Sequence, residues 1–152
     1  MKSKDIHFSN HRGERLAATL DLPEDESPIS YALFAHCFTC TKNIKAAVNI
    51  AAALNREKIA VLRFDFTGLG QSEGEFSNTH FSSNVDDLVD AAAFMAARGE
   101  PPALLIGHSL GGTAVLAAAH EIESAVAVAP TGSAAHAETV LALVEEDNRA
   151  ME

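Results

Sequence analysis

Ala103-Leu104-Leu105-Ile106-Gly107-His108-Ser109-Leu110-Gly111-Gly112 is an apolar run that ends in a glycine-framed serine and passes straight into a second apolar stretch, Leu110 to Ala119. The first half has the form of a strand buried on both faces of a parallel sheet. The second half is long and apolar enough for a core helix. Gly107-His108-Ser109-Leu110-Gly111 fits Gly-x-Ser-x-Gly, the pattern of a nucleophile elbow. The spacing has a steric reason. A serine at the tip of a sharp strand-to-helix turn leaves no room for side chains two positions away, and Gly107 and Gly111 have none. The positive end of the following helix would face the same point and favour negative charge there.

Working outward, Ile6 to Ser9 and Arg15 to Leu22 flank a turn at Asn10-His11-Arg12-Gly13, which predicts a hairpin. Pro23 to Pro28 is an acidic, proline-bounded loop. Tyr31-Ala32-Leu33-Phe34-Ala35 and Ile59-Ala60-Val61-Leu62-Arg63-Phe64 read as further buried strands. Between them Ile44, Ala47, Val48, Ala51 and Leu54 form one stripe at helical spacing. Asn84 is placed to cap a helix carrying Val85, Leu88, Val89, Ala92 and Ala96, with Asp86 and Asp87 in its first turn, and Gly99 and Pro101 end it. Ala125 to Ala129 predicts a last strand, and a final helix is expected around Glu138 to Glu146. An antiparallel start followed by strand-helix units predicts an α/β fold with a mostly parallel, doubly wound sheet, one domain over residues 1–152. Ligands in such sheets bind beyond the C-terminal strand ends. The loops that matter are therefore His36 to Asn43, Asp65 to Gly74, the Ser109 turn and Pro130 to His136.

With 47% hydrophobic and 21% charged residues in 152, the chain can bury a core. A formal net charge of -10 with no Lys/Arg cluster argues against nucleic acid and anionic membrane surfaces as partners. Leu110 to Ala119 is the longest apolar stretch, short of the about 20 residues that span a bilayer, and the N-terminus carries no apolar segment. A cytoplasmic location is expected. Cys37 and Cys40 sit too close together to staple a fold.

The chain resembles the α/β-hydrolase superfamily, and within it the hydrolase part of bacterial proteins fused to an OsmC-like domain. The resemblance is carried by His36-Cys37-Phe38-Thr39-Cys40, Asp65-Phe66-Thr67-Gly68-Leu69-Gly70-Gln71-Ser72, Asn84-Val85-Asp86-Asp87-Leu88 and Gly107 to Gly112. It implies a serine hydrolase of acyl esters or thioesters that needs no cofactor and no metal. Ser109 would be the nucleophile, and the Leu110 and Phe38 amides would be the oxyanion donors. The family places its catalytic acid and histidine after later strands, in the order Ser, acid, His. Here Pro130-Thr131-Gly132 follows the last strand without an acid. The expectation is therefore the N-terminal portion of the fold, truncated after about the sixth strand, with triad acid and histidine missing. His80 and His136, near the active rim, are the candidate surrogate bases. His108 is expected to point away from Ser109, His36 to brace the oxyanion loop and Asp65 to cap its own loop.

A catalytically inactive remnant or interaction module is the competing reading. A third is a thiol redox protein, because Cys37-Phe38-Thr39-Cys40 is a C-x-x-C between a strand and a helix. Two thiols alone make an incomplete zinc site. The bland alternative is two small residues packing a loop. The unprotected Ala125 to Ala129 edge, with the helix around Val140, Leu141 and Val144, predicts a homo-oligomer joined through that edge.

Overall fold

The computed structural model describes residues 1–37 and 40–131. One six-stranded sheet runs β1 (Lys2–Ser9), β2 (Arg15–Leu22), β4 (Ile59–Phe64), β3 (Ser30–Ala35), β5 (Leu104–His108) and β6 (Ala127–Thr131) in spatial order. The hairpin β1 and β2 is antiparallel and joins β4 antiparallel. From β4 onward every pairing is parallel.

The parallel strands alternate their cores. Leu33 and Ala35 of β3 belong to the larger cluster, with Leu62, Phe64, Phe66, Leu88, Met95 and Val115. Ala32 and Phe34 belong to the smaller one, with Ala47, Ala51, Val61 and Ile106. Helix α1 (Lys45–Arg56) therefore covers one face, while α2 (Phe81–Ala97) and α3 (Leu110–Ala118) cover the other. A strand buried on both faces needs apolar residues at successive positions, which is why β3 and β5 lack a polar alternation.

Three boundaries differ from the sequence expectation, the first being β1, which starts at Lys2 rather than Ile6. Helix α2 begins at Phe81 with His80 as N-cap, so Asn84 lies one turn inside it and is buried. The reason is Ser83, whose hydroxyl accepts from the His80 amide at 2.8 Å and donates to the His80 carbonyl at 2.9 Å. That is a capping box with serine in the place usually held by Glu or Gln. Strand β6 lies two residues later than expected and includes Pro130, whose missing N–H makes that edge a poorer template for pairing. The expected final helix, the rest of the rim loop beyond Thr131, His136 and Phe38 lie outside the described residues.

Candidate active site

Ser109 is the N-cap of α3 and holds φ 57°, ψ -120°, in the positive-φ region that non-glycine residues seldom occupy. Such a backbone costs on the order of 1–3 kcal/mol and persists only where its surroundings over-determine it. They do so here. The Ser109 amide donates to the Thr131 carbonyl at 2.7 Å, and the Ser109 carbonyl accepts from the Gly112 amide at 2.9 Å. A Cβ on Gly107 would come inside 3.0 Å of the Gly111 carbonyl, and one on Gly111 inside 3.0 Å of the Ala35 and His36 carbonyls. The second clash ties the first turn of α3 to the end of β3. Leu110, 42% exposed, opens α3, where helix geometry leaves the amide without an intrahelical partner. His108 Nδ1 lies 3.2 Å from Thr131 Oγ1.

The loop after β3 is held by buried polar groups. His36 is fully buried. Its Nε2 accepts from the Phe66 amide at 3.3 Å, which leaves Nδ1 to donate to the Cys37 carbonyl. Burial pushes the His36 pKa below 6.5, partly offset by that hydrogen bond and by the Asp65 charge. Asp65, also fully buried, accepts from the Lys42 amide at 2.7 Å, the Lys42 ammonium at 3.3 Å and the Gln71 amide at 3.0 Å. It caps its own loop, as expected, and also clamps the neighbouring one. Arg63 adds a hydrogen bond to the Lys42 carbonyl at 2.6 Å while its Nε and Nη2 grip the Asp21 carboxylate. Cys37 and Cys40 form a disulfide with Cα atoms 5.3 Å apart, and the Cys40 amide donates to the Cys37 carbonyl at 3.1 Å. The bridge closes only its own short turn, consistent with a spacing too tight to staple the fold.

Residues 34–146 match the family described as serine aminopeptidase, S33. The chain belongs to that family. This S33-family chain is 57% identical to the esterase domain of a Rhodothermus marinus protein, over 86% of this chain and 50% of that one, with a TM-score of 0.70. Est1E from Butyrivibrio proteoclasticus, with ferulic acid bound, shares 25% identity, covers 81% and 50% of the two chains, and gives a TM-score of 0.75. A serine hydrolase without a lid from Xanthomonas campestris shares 29% identity over 81% and 58%, with a TM-score of 0.70. The S33 chain thus spans about half the length of the first two of these proteins. None of the curated protein sequences matches.

Among the described residues of this S33-family chain, no side chain is hydrogen-bonded to Ser109 Oγ. His80 is exposed at the start of α2. Sequence reading did not anticipate the Lys42–Asp65–Gln71 clamp or the role of Asp87. The Asp87 carboxylate, 1% exposed and in the second turn of α2, accepts from the Thr67 amide at 2.9 Å and so fixes the loop after β4. Burial raises its pKa above 3.8 against the pull of those Thr67 hydrogen bonds. His11, Asp87 and Asp90 bring ligand-type atoms within 4.8 Å of one another. His11 Nδ1 already lies 2.7 Å from Asp90 Oδ2, so hydrogen bonding accounts for that pair.

Proposed function

We propose that the chain carries the nucleophile side of an acyl-ester hydrolase site. Ser109 Oγ attacks the carbonyl of an ester or thioester, the alcohol or thiol leaves, and water releases the acid from the acyl-serine. The Leu110 amide, and by family resemblance that of Phe38, hold the oxyanion. The observation that supports this reading is the strained Ser109 backbone at a strand-to-helix junction whose framing residues admit no Cβ. The relative named as an esterase domain supports acyl esters as the substrate class. The proton acceptor is assigned to His80 or His136, and the mechanism draws on no cofactor or metal. From the resemblance and the composition, the proposal extends to an OsmC-like companion domain, a cytoplasmic location and self-association through the β6 edge.

A fluorophosphonate probe tests the nucleophile. Labelling at Ser109 that disappears in Ser109→Ala is the expected result. No labelling of folded protein would overturn it and leave an inactive remnant or interaction module. If p-nitrophenyl acetate is turned over, His80→Ala and His136→Ala identify the base, since loss of the base in a serine hydrolase costs on the order of a million-fold.

A further inference from the structure

The disulfide between Cys37 and Cys40 sits on a loop that touches both the first turn of α3, beside Ser109, and the clamp around Asp65. We propose that this pair is a reversible redox site, exchanging with dithiol reductants, whose oxidised form holds the turn after β3 in the conformation Ser109 needs. The coupling to Ser109 rests on the hydrolase reading above.

Three observations carry it. First, the bridge is redundant for the fold. The same turn is closed by the Cys40 amide on the Cys37 carbonyl, and its flanks are tied down independently by His36 on the Phe66 amide and Lys42 on Asp65. Opening the bridge therefore leaves the surrounding structure standing, as a site that cycles requires. Second, the two cysteines differ in access. Cys37 is 8% exposed, whereas Cys40 is half-buried. An incoming thiolate meets Cys40 first. Third, the position is coupled. The Cys37 carbonyl also accepts from His36 Nδ1, and the His36 and Ala35 carbonyls pack against Gly111 so closely that no Cβ fits between them. A shift at Cys37 is thus felt in the first turn of α3, two residues from Ser109.

The exchange balances as a two-electron step. A thiolate of the dithiol attacks Cys40 Sγ, forming a mixed disulfide and releasing Cys37 as a thiolate. The second thiol of the reductant, deprotonated, then attacks its own sulfur in the mixed disulfide. Cys40 leaves as a thiolate, the reductant closes to a cyclic disulfide, and the two protein thiolates take up the two protons that the reductant lost.

The test uses the full chain, air-oxidised or treated with dithiothreitol. Alkylation mass shifts read the state of the pair, circular dichroism reads the fold, and the rate of fluorophosphonate labelling reads Ser109. The expected result is two thiols gained without loss of fold, with labelling at least fivefold slower and recovered on reoxidation. About a hundredfold is the ceiling, the cost of misplacing a reacting group by 1 Å. Cys37→Ser/Cys40→Ser should label at the slow rate and ignore dithiothreitol. Should that variant fail to fold, wild type alkylated at both thiols serves instead. Equal labelling rates in two verified redox states would overturn the coupling. A bridge that dithiothreitol opens only in unfolded protein would overturn the redox site. If the pair cycles but neither form labels, the hydrolase reading and the coupling fail, and the redox couple stands by itself.

Discussion

Replacing Asp65 by alanine should destabilise the domain far more than replacing Lys42 by methionine, although the two side chains form one buried ion pair at 3.3 Å. The asymmetry follows from what each leaves behind. Asp65 serves three donors, the Lys42 ammonium and the amides of Lys42 and Gln71. Its removal leaves a lysine that is 2% exposed without its counter-charge, held by the neutral Gln71 Oε1 at 2.9 Å, together with two backbone N–H groups that lose their acceptor. Leaving one partner of a buried pair as an uncompensated charge costs about 3–5 kcal/mol, and a typical domain has only about 5–15 kcal/mol in all. Lys42→Met leaves Asp65 its two amide donors and fills the space with an apolar chain. A loss of about 1–3 kcal/mol, the range for leaving a buried polar group partly unsatisfied, is expected. Urea unfolding gives both values if the m-values agree with wild type. The corresponding Tm losses are roughly 6–20 °C for Asp65→Ala and roughly 2–12 °C for Lys42→Met. Equal losses, or a loss below about 1 kcal/mol for Asp65→Ala, would refute the clamp.

Gly107→Ala and Gly111→Ala should each cost about 1–3 kcal/mol through backbone clash, whereas His108→Ala, losing one hydrogen bond to Thr131, should cost about 1 kcal/mol or less; thermal midpoints decide. His36 has a folded pKa below its ordinary 6.5, so below that pH the unfolded chain binds more protons and stability drops until the folded value is passed. His36→Phe should remove that slope from the stability-pH curve. Asp87 acts with the opposite sign: its folded pKa lies above 3.8, so stability falls as pH rises from 3.8 through the folded value, and Asp87→Asn should flatten that segment. Self-association through β6 predicts a dimer or larger species by light scattering, weakened by Val126→Lys at a residue that is 85% exposed beside the strand; a monomer at micromolar concentration would sink it.

The framework was legible because its signals are local. Ile59 to Phe64, apolar but for Arg63, matches β4 residue for residue, and the Ser109 turn announces itself through two glycines of which the first, Gly107, has its steric reason within five positions, against Gly111. What escaped reading depends on partners distant in sequence. Nothing near Asp65 indicates that Lys42 will reach it, because the pairing exists only once β3 and β4 lie side by side. Asp87 was read as a helix-start residue for the same reason: its partner, the Thr67 amide, is twenty residues away. The start of α2 was missed through chemistry rather than distance. Ser83 caps with a hydroxyl where Glu or Gln is the familiar sign.

The parallel strands deliver their loops to one end of the sheet, and those loops are linked in series. The Ser109 amide bonds the Thr131 carbonyl after β5 and β6, Gly111 presses on the carbonyls of Ala35 and His36 after β3, and His36 and Lys42 reach Phe66 and Asp65 after β4. Links of this kind predict energetic coupling, since each loop is positioned by the next. Asp65 and Gly111 share no direct contact in that series, only the β3 loop between them. If the loop transmits, a cycle combining Asp65→Ala with Gly111→Ala should show an interaction energy of about 0.5–3 kcal/mol, because a β3 loop already released by the first change yields more readily to the methyl group added by the second. The double variant would then be more stable than the sum of the single losses requires. Strict additivity within about 0.5 kcal/mol would mean that the β3 loop is fixed from elsewhere. The Ser109 turn would then be insulated from the Asp65 clamp, and the clamp would serve stability without serving the site.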